Sequence, residues 1–268
     1  MEFQHTSGKV RDIYDISRGK LVIVTTDRIS AFDIILPKPV TGKGKLLNAI
    51  SLFWFDLTKD IIPNHVISSD LNDMPEYFQK PEFEGRTLLV KKLRMLPFEC
   101  IVRGYMFGHM WEKYSKSGKY ELAQKLDVPV FTPSTKAKHD EYISFKDMEQ
   151  KIGAELANKV KDTSLSIYNR CYDYAYRKGV IIADAKFEFG LDENDNLVLA
   201  DEILTPDSSR FWSLAEYKVG VSPKSYDKQF IRDWLVSNKT ENKLPDIPDD
   251  ILDKTAEIYA TLLAKITS

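Results

Sequence analysis

Residues 180–212 read VIIADAKFEFGLDENDNLVLADEILTPDSSRFW, two strand-like runs joined by a polar turn, with more charge than a buried hairpin holds without partners. Alternation along a strand puts Asp184, Lys186 and Glu188 on one face and Phe187, Phe189 and Leu191 on the other. With a four-residue loop at 193–196, Glu188 is expected opposite Asp201, with Lys186 one pleat away. Two opposed carboxylates repel unless a cation lies between them, and Mg2+ is commonly held by one or two carboxylates plus substrate phosphates. The hairpin therefore reads as a candidate metal and nucleotide site. The competing reading is an exposed ribbon with Glu and Lys paired at its surface. A calcium loop at Asp192, Asn194 and Asn196 is excluded, because Leu197 stands at the glycine position and Ile203 at that of the bidentate Glu.

The chain around this hairpin is 268 residues long, enough for one large domain or two lobes sharing a cleft. Its net charge of -2 gives no global reason to expect nucleic acid or an anionic membrane as partner, so local basic clusters must carry any phosphate binding. The N-terminal MEFQHTSGKVRD lacks the apolar core of a secretion signal, and the apolar run Ala49 to Phe55 is too short to span a bilayer. A cytoplasmic location is expected. Cys100, Cys171, His5, His65, His109 and His139 show no metal-ligand spacing, and both thiols read as reduced core residues.

Residues 2–26 read as a hairpin: a strand to about Tyr14, a turn at Ser17 to Lys20, and the return strand LVIVTT. Gly8 beside Lys9 and Arg11 is a turn able to cradle phosphate, or simply a basic surface turn. Lys38, Lys43 and Lys45 surround glycines ahead of a helix over Leu46 to Leu57, and read as phosphate-screening or solvated side chains. Strands follow at Thr87 to Leu93, which carries Lys91, and at FECIVRGY. There Glu99 and Arg103 share a face, as a structural ion pair or a ligand pocket. Residues 115–142, with Pro129 and Pro133, read as an irregular binding loop or linker. Ser144 with Asp147 forms a capping box that opens one long helix ending at Gly179. Residues 225–237 and 249–266 read as packing helices without chemistry.

Taken together and in order, GKVRDIYD, TDRISAFD, LPFECIVRGY, FTPSTKAKHDE, DAKFEFG and ADEILTPDSSRFW resemble the SAICAR synthetase family, over about residues 7 to 236. The resemblance implies an α+β, two-lobed nucleotide-binding fold similar to protein kinases and ATP-grasp enzymes. It sets an antiparallel N-terminal lobe (1–95) against a larger α+β lobe (96–268). It further implies an ATP-dependent amide ligase joining the carboxylate of the imidazole nucleotide CAIR to L-aspartate, with ATP and Mg2+. By this resemblance Gly8, Lys9, Arg11 and Lys91 bind the triphosphate, and Glu188 and Asp201 hold the metal. Glu99, Arg103, His109, Asp184, Lys186 and Arg210 surround the nucleotide substrate, with Asp184, Lys186 and Arg210 in catalytic roles. Ser134 and Lys136 lie in a loop closing near the aspartate. Three positions depart from the family pattern: His109 stands where serine is usual, the segment between Tyr114 and Phe131 is shorter, and Ala185 replaces a common threonine. A paralogous ligase with another acid or amine, or a small-molecule kinase, are the alternatives that the Mg2+ and Lys set leaves open.

Overall fold

The computed structural model describes residues 3–32, 34–136, 141–238 and 245–268. Glu2, Asp33 and the stretch 137–140, which contains His139, lie outside the described residues.

The N-terminal strands are β1 (Gln4–Ser7), β2 (Arg11–Asp15) and β3 (Lys20–Thr25). The expected single strand to Tyr14 is in fact a hairpin: β1 pairs antiparallel with β2, placing Ser7 opposite Asp12, so Gly8 lies inside a turn. A two-stranded piece, β4 (Ser30–Ala31) and β5 (Ile34–Ile35), leads to helix α1 (Lys43–Leu57). Asp27 caps α1 by accepting from the amides of Gly42 and Gly44, at 3.1 and 2.8 Å. With β6 (Val66–Ser68) and β7 (Thr87–Lys91), the first three strands form a five-stranded sheet in the order β1-β2-β3-β7-β6. Val22, Val24, Phe78 and Leu89 bury one face of it.

The second sheet is built from β8 (Arg94–Met95), β9 (Phe98–Tyr105), β10 (Lys125–Thr135), β11 (Val180–Leu191), β12 (Leu197–Ala200) and β13 (Arg210–Ser213). Its order is β10-β9-β11-β12, with β8 and β13 also pairing on β11. Between β9 and β10 lies helix α2 (Gly108–Tyr114), and before β11 come α3 (Phe145–Ile152) and α4 (Ala154–Arg177); α5 (Gln229–Ser237) and α6 (Asp249–Thr267) close the chain. The largest core joins Phe187 and Phe189 of β11 to Val160, Ile167 and Cys171 of α4, and to Ile50 and Trp54 of α1. Helix α1 thus shares the core of the second sheet although it lies in the first third of the sequence.

Two expectations fail for backbone reasons. Residues 125–135 are an eleven-residue strand rather than a loop. The strand stands at the sheet edge, with a register shift between Lys125 and Val130, and an edge tolerates Pro129 and Pro133 because no ladder donor is needed on the open side. The long helix expected after Ser144 is two helices broken at Gly153, whose φ of 85° and ψ of 147° no L side chain adopts comfortably. The Ser144–Asp147 capping box forms as expected, and the second helix ends before Gly179 at φ 74°.

Candidate active site

Between the two sheets lies a cleft of about 690 Å³. It is lined by the apolar side chains of Ile13, Leu21, Ile23, Leu93 and Met95 and by the cations Lys9, Arg11, Lys91, Lys136 and Lys186. The β1–β2 turn enters it because Gly8 N donates to Arg11 O at 2.7 Å, which closes the loop tightly. Arg28 braces the turn from behind, donating to the carbonyls of Gly8 (3.0 Å) and Lys9 (3.3 Å) and to Asp12. Lys91 reaches the same cleft from the end of β7.

On the opposite wall β9 and β11 present an alternating row of charges. Lys186 Nζ lies 2.8 Å from both Glu99 Oε1 and Glu188 Oε1, Lys136 pairs with the other oxygen of Glu188, and Ser134 donates to Glu99 at 3.4 Å. Burial alone would raise the Glu188 carboxyl, yet Lys186 and Lys136 outweigh it and hold the group below the usual carboxylate range. Burial likewise opposes charge on Lys186, but Glu188, Asp201, Glu99 and Glu202 together raise its pKa well above the ordinary lysine value. Arg11 holds Asp201 at 3.1 Å and Glu202 at 2.5 Å.

The hairpin register differs from expectation. Glu188 opposes Ala200, because the turn spans Asp192 to Asn196, one residue more than the four-residue loop, and closes with Asp192 N donating to Asn196 O at 3.1 Å. Asp201 stands just past β12 with φ 59°, and Asp201 and Glu188 line the same cleft without being cross-strand partners. Each carboxylate already has cationic partners, so the expected bare repulsion is absent.

Deeper along β11, Asp184 sits between two guanidinium groups. It accepts from Arg103 Nη1 at 3.4 Å and pairs with Arg210, which β13 places directly opposite. Arg103 also donates to Thr132 Oγ1 and Tyr142 Oη, both at 3.1 Å. His109 projects from α2 and stacks on Tyr142, ring centroids 4.1 Å apart and 13° from parallel. Glu99, Arg103, Asp184, Lys186, Glu188 and Arg210 are thus joined by ion pairs and strand pairing, whereas His109 meets the set through the Tyr142 ring.

Sequence reasoning passed over a second buried set. Lys43 is not a solvated or phosphate-screening lysine: it is fully buried and pairs with Asp207 at 2.7 Å, while Tyr259 of α6 donates to the other Asp207 oxygen at 2.7 Å. Lys228 and Arg232, from a segment assigned no chemistry, line the cleft beside Asp207 and Ser208. Burial, with Arg232 and Lys43 close by, depresses the Lys228 pKa. The DSSR run beside the charged hairpin was the available signal for Asp207; Lys43 and Tyr259 lie too far away in sequence to have been joined to it.

The sequence model of the SAICAR synthetase family matches residues 4–247. The chain belongs to the SAICAR synthetase family. Curated relatives include the phosphoribosylaminoimidazole-succinocarboxamide synthases of Lachnospira eligens, 52% identical over 94% of this chain and 90% of that protein, and of Maridesulfovibrio salexigens, 49% identical over 97% and 92%. Among solved structures, the SAICAR synthase of Saccharomyces cerevisiae complexed with SAICAR superposes with a TM-score of 0.90 at 41% identity, covering 99% of this chain and 95% of that one. A SAICAR synthetase in complex with ADP gives 0.77 at 26% identity, covering 98% and 97%. The fold is therefore the α+β fold of SAICAR synthetases, and no helix among the described residues is long and apolar enough to cross a membrane.

Proposed function

We propose that this cleft joins the carboxylate of CAIR to the amine of L-aspartate with consumption of ATP, giving SAICAR, ADP and phosphate in purine biosynthesis. The single observation that carries the reading is one cleft lined by the cations Lys9, Arg11, Lys91 and Lys186 and by the carboxylates Glu188 and Asp201. A carboxylate is a poor acyl donor because oxide would have to leave, so the acid must first become an acyl phosphate.

In this reading residues 1–95 supply the phosphate loop and residues 96–268 the metal and substrate groups. Gly8 and Lys9, in the braced turn, and Arg11 and Lys91 receive the triphosphate. Lys186, held between Glu99 and Glu188, faces the transferring phosphoryl and offsets charge as it builds up there. Arg103, Asp184 and Arg210 surround the imidazole nucleotide, with His109 behind them on the Tyr142 ring, while Ser134 and Lys136 stand toward the aspartate.

Among the described residues no cluster of three or more His, Cys, Asp or Glu able to hold a metal ion is present. Glu188 and Asp201, two hard oxygen donors lining one cleft, fit a cation whose remaining positions are filled by nucleotide phosphates. Mg2+ held there would supply charge neutralisation on the triphosphate. For both carboxylates to serve it, Lys136 and Arg11 turn from them toward phosphate. A cytoplasmic location accords with this metabolic role.

The test is product formation. Purified protein given ATP, Mg2+, CAIR and L-aspartate is expected to yield SAICAR, identified by mass. ADP formed without SAICAR would overturn the reading in favour of a kinase.

A further inference from the structure

Arg103 lies mid-strand in β9 with 3% of its surface exposed, and its guanidinium is held from three directions. Nε donates to Thr132 on β10, Nη1 to Asp184 on β11 and Nη2 to Tyr142 Oη. The first two partners stand on the sheet. The third lies at its edge: Tyr142 follows β10, bridges Ser134 of that strand and is 46% exposed. Its backbone is tied to that strand on either side, since Thr135 N donates to Glu141 O at 2.9 Å and Ile143 N to Pro133 O at 3.1 Å. The His109 imidazole lies flat on the ring, at 4.1 Å and 13°, and the Arg103 guanidinium stands over it at 5.6 Å from the centroid. Side-chain entropy would otherwise spread a half-exposed tyrosine among rotamers, and the stack on the face of its ring helps to keep the hydroxyl in front of Arg103.

A guanidinium has five N–H donors in one plane, so fixing Nε and both Nη groups fixes where the remaining two donors point. We propose that Tyr142, pinned by the His109 ring, is a positioning residue that aims Arg103 toward the acid substrate beside Asp184. His109 then acts through its flat face, and what the position demands is an aromatic ring rather than an imidazole. This rests on the reading that Arg103 and Asp184 receive the nucleotide substrate.

Two measurements separate the proposal from that reading. The first uses no substrate: the Arg103 Nε–H signal in 15N spectra, assigned by its loss in Arg103→Lys. It is expected to shift and exchange faster with water in Tyr142→Phe and His109→Ala, and to stay near its wild-type position in His109→Phe. The second is kinetic. Tyr142→Phe and His109→Ala are each expected to raise KM for CAIR about tenfold, the weight of one hydrogen bond to a charged group, with kcat and the KM values for ATP and aspartate nearly unchanged. The double variant should be no worse than either single one, and His109→Phe should retain the wild-type KM. An unmoved Arg103 signal in Tyr142→Phe overturns the proposal, as does His109→Phe behaving like His109→Ala, which would make the imidazole itself the contact. Should the wild-type protein not consume CAIR, the functional reading fails while the spectra still decide the role of Tyr142.

Discussion

At Glu188 two lysines converge on one buried carboxylate, and that arrangement sets the effect of replacing it. Glu188→Gln and Asp201→Asn are each expected to cut turnover by roughly 100-fold or more, since an amide cannot replace a charged oxygen donor among phosphates. Glu188→Gln should also lower stability by about 1–3 kcal/mol, because Lys186 and Lys136 lose a charge partner. Turnover close to wild type at saturating Mg2+ would remove these residues from the metal role. Lys186→Met is expected to lower kcat roughly 100-fold with a smaller rise in the ATP KM, since the lysine matters most where charge accumulates in the transition state. A raised ATP KM alone would reassign it to nucleotide binding. Alternation along one strand was enough to place Asp184, Lys186 and Glu188 on a common face. The register across the hairpin was not legible, because a turn one residue longer moves every partner by one position, and composition does not set turn length.

Among the elements, strand periodicity was readable in β9 and β11, where the apolar pattern agrees with burial, and unreadable in β10, where Pro129 and Pro133 argue for a loop unless the strand is known to be an edge. Ser134, on that edge strand, reaches Glu99 because β10 pairs with β9. The break between α3 and α4 was equally hidden, since apolar spacing continues through it. Gly153 decides it. Gly153→Ala is expected to cost about 1–3 kcal/mol in chemical denaturation, because the backbone there lies in a region open almost only to glycine, with kcat unchanged since the site is remote. Full stability in that variant would show that the two helices can merge into one.

Across the whole molecule, three distant segments meet at Asp207: Lys43 opens α1, Asp207 follows the charged hairpin and Tyr259 lies in α6. Nothing local in sequence marks such a meeting, so from sequence the C-terminal helices read as packing alone. Lys43→Met is expected to destabilise the fold by about 3–5 kcal/mol, since it strands a buried carboxylate; Lys43→Met with Asp207→Leu should recover part of that loss. Additive losses in the double variant would contradict a coupled pair. The several long motifs made the family legible before any coordinates, because their order fixes the succession of elements that build one cleft. The most direct measurement of the account is ADP release under omission, with CAIR alone, aspartate alone and both together at saturating ATP and Mg2+. Sustained release is predicted only with both, matched one to one by SAICAR; sustained release with either substrate alone would contradict coupled amide ligation.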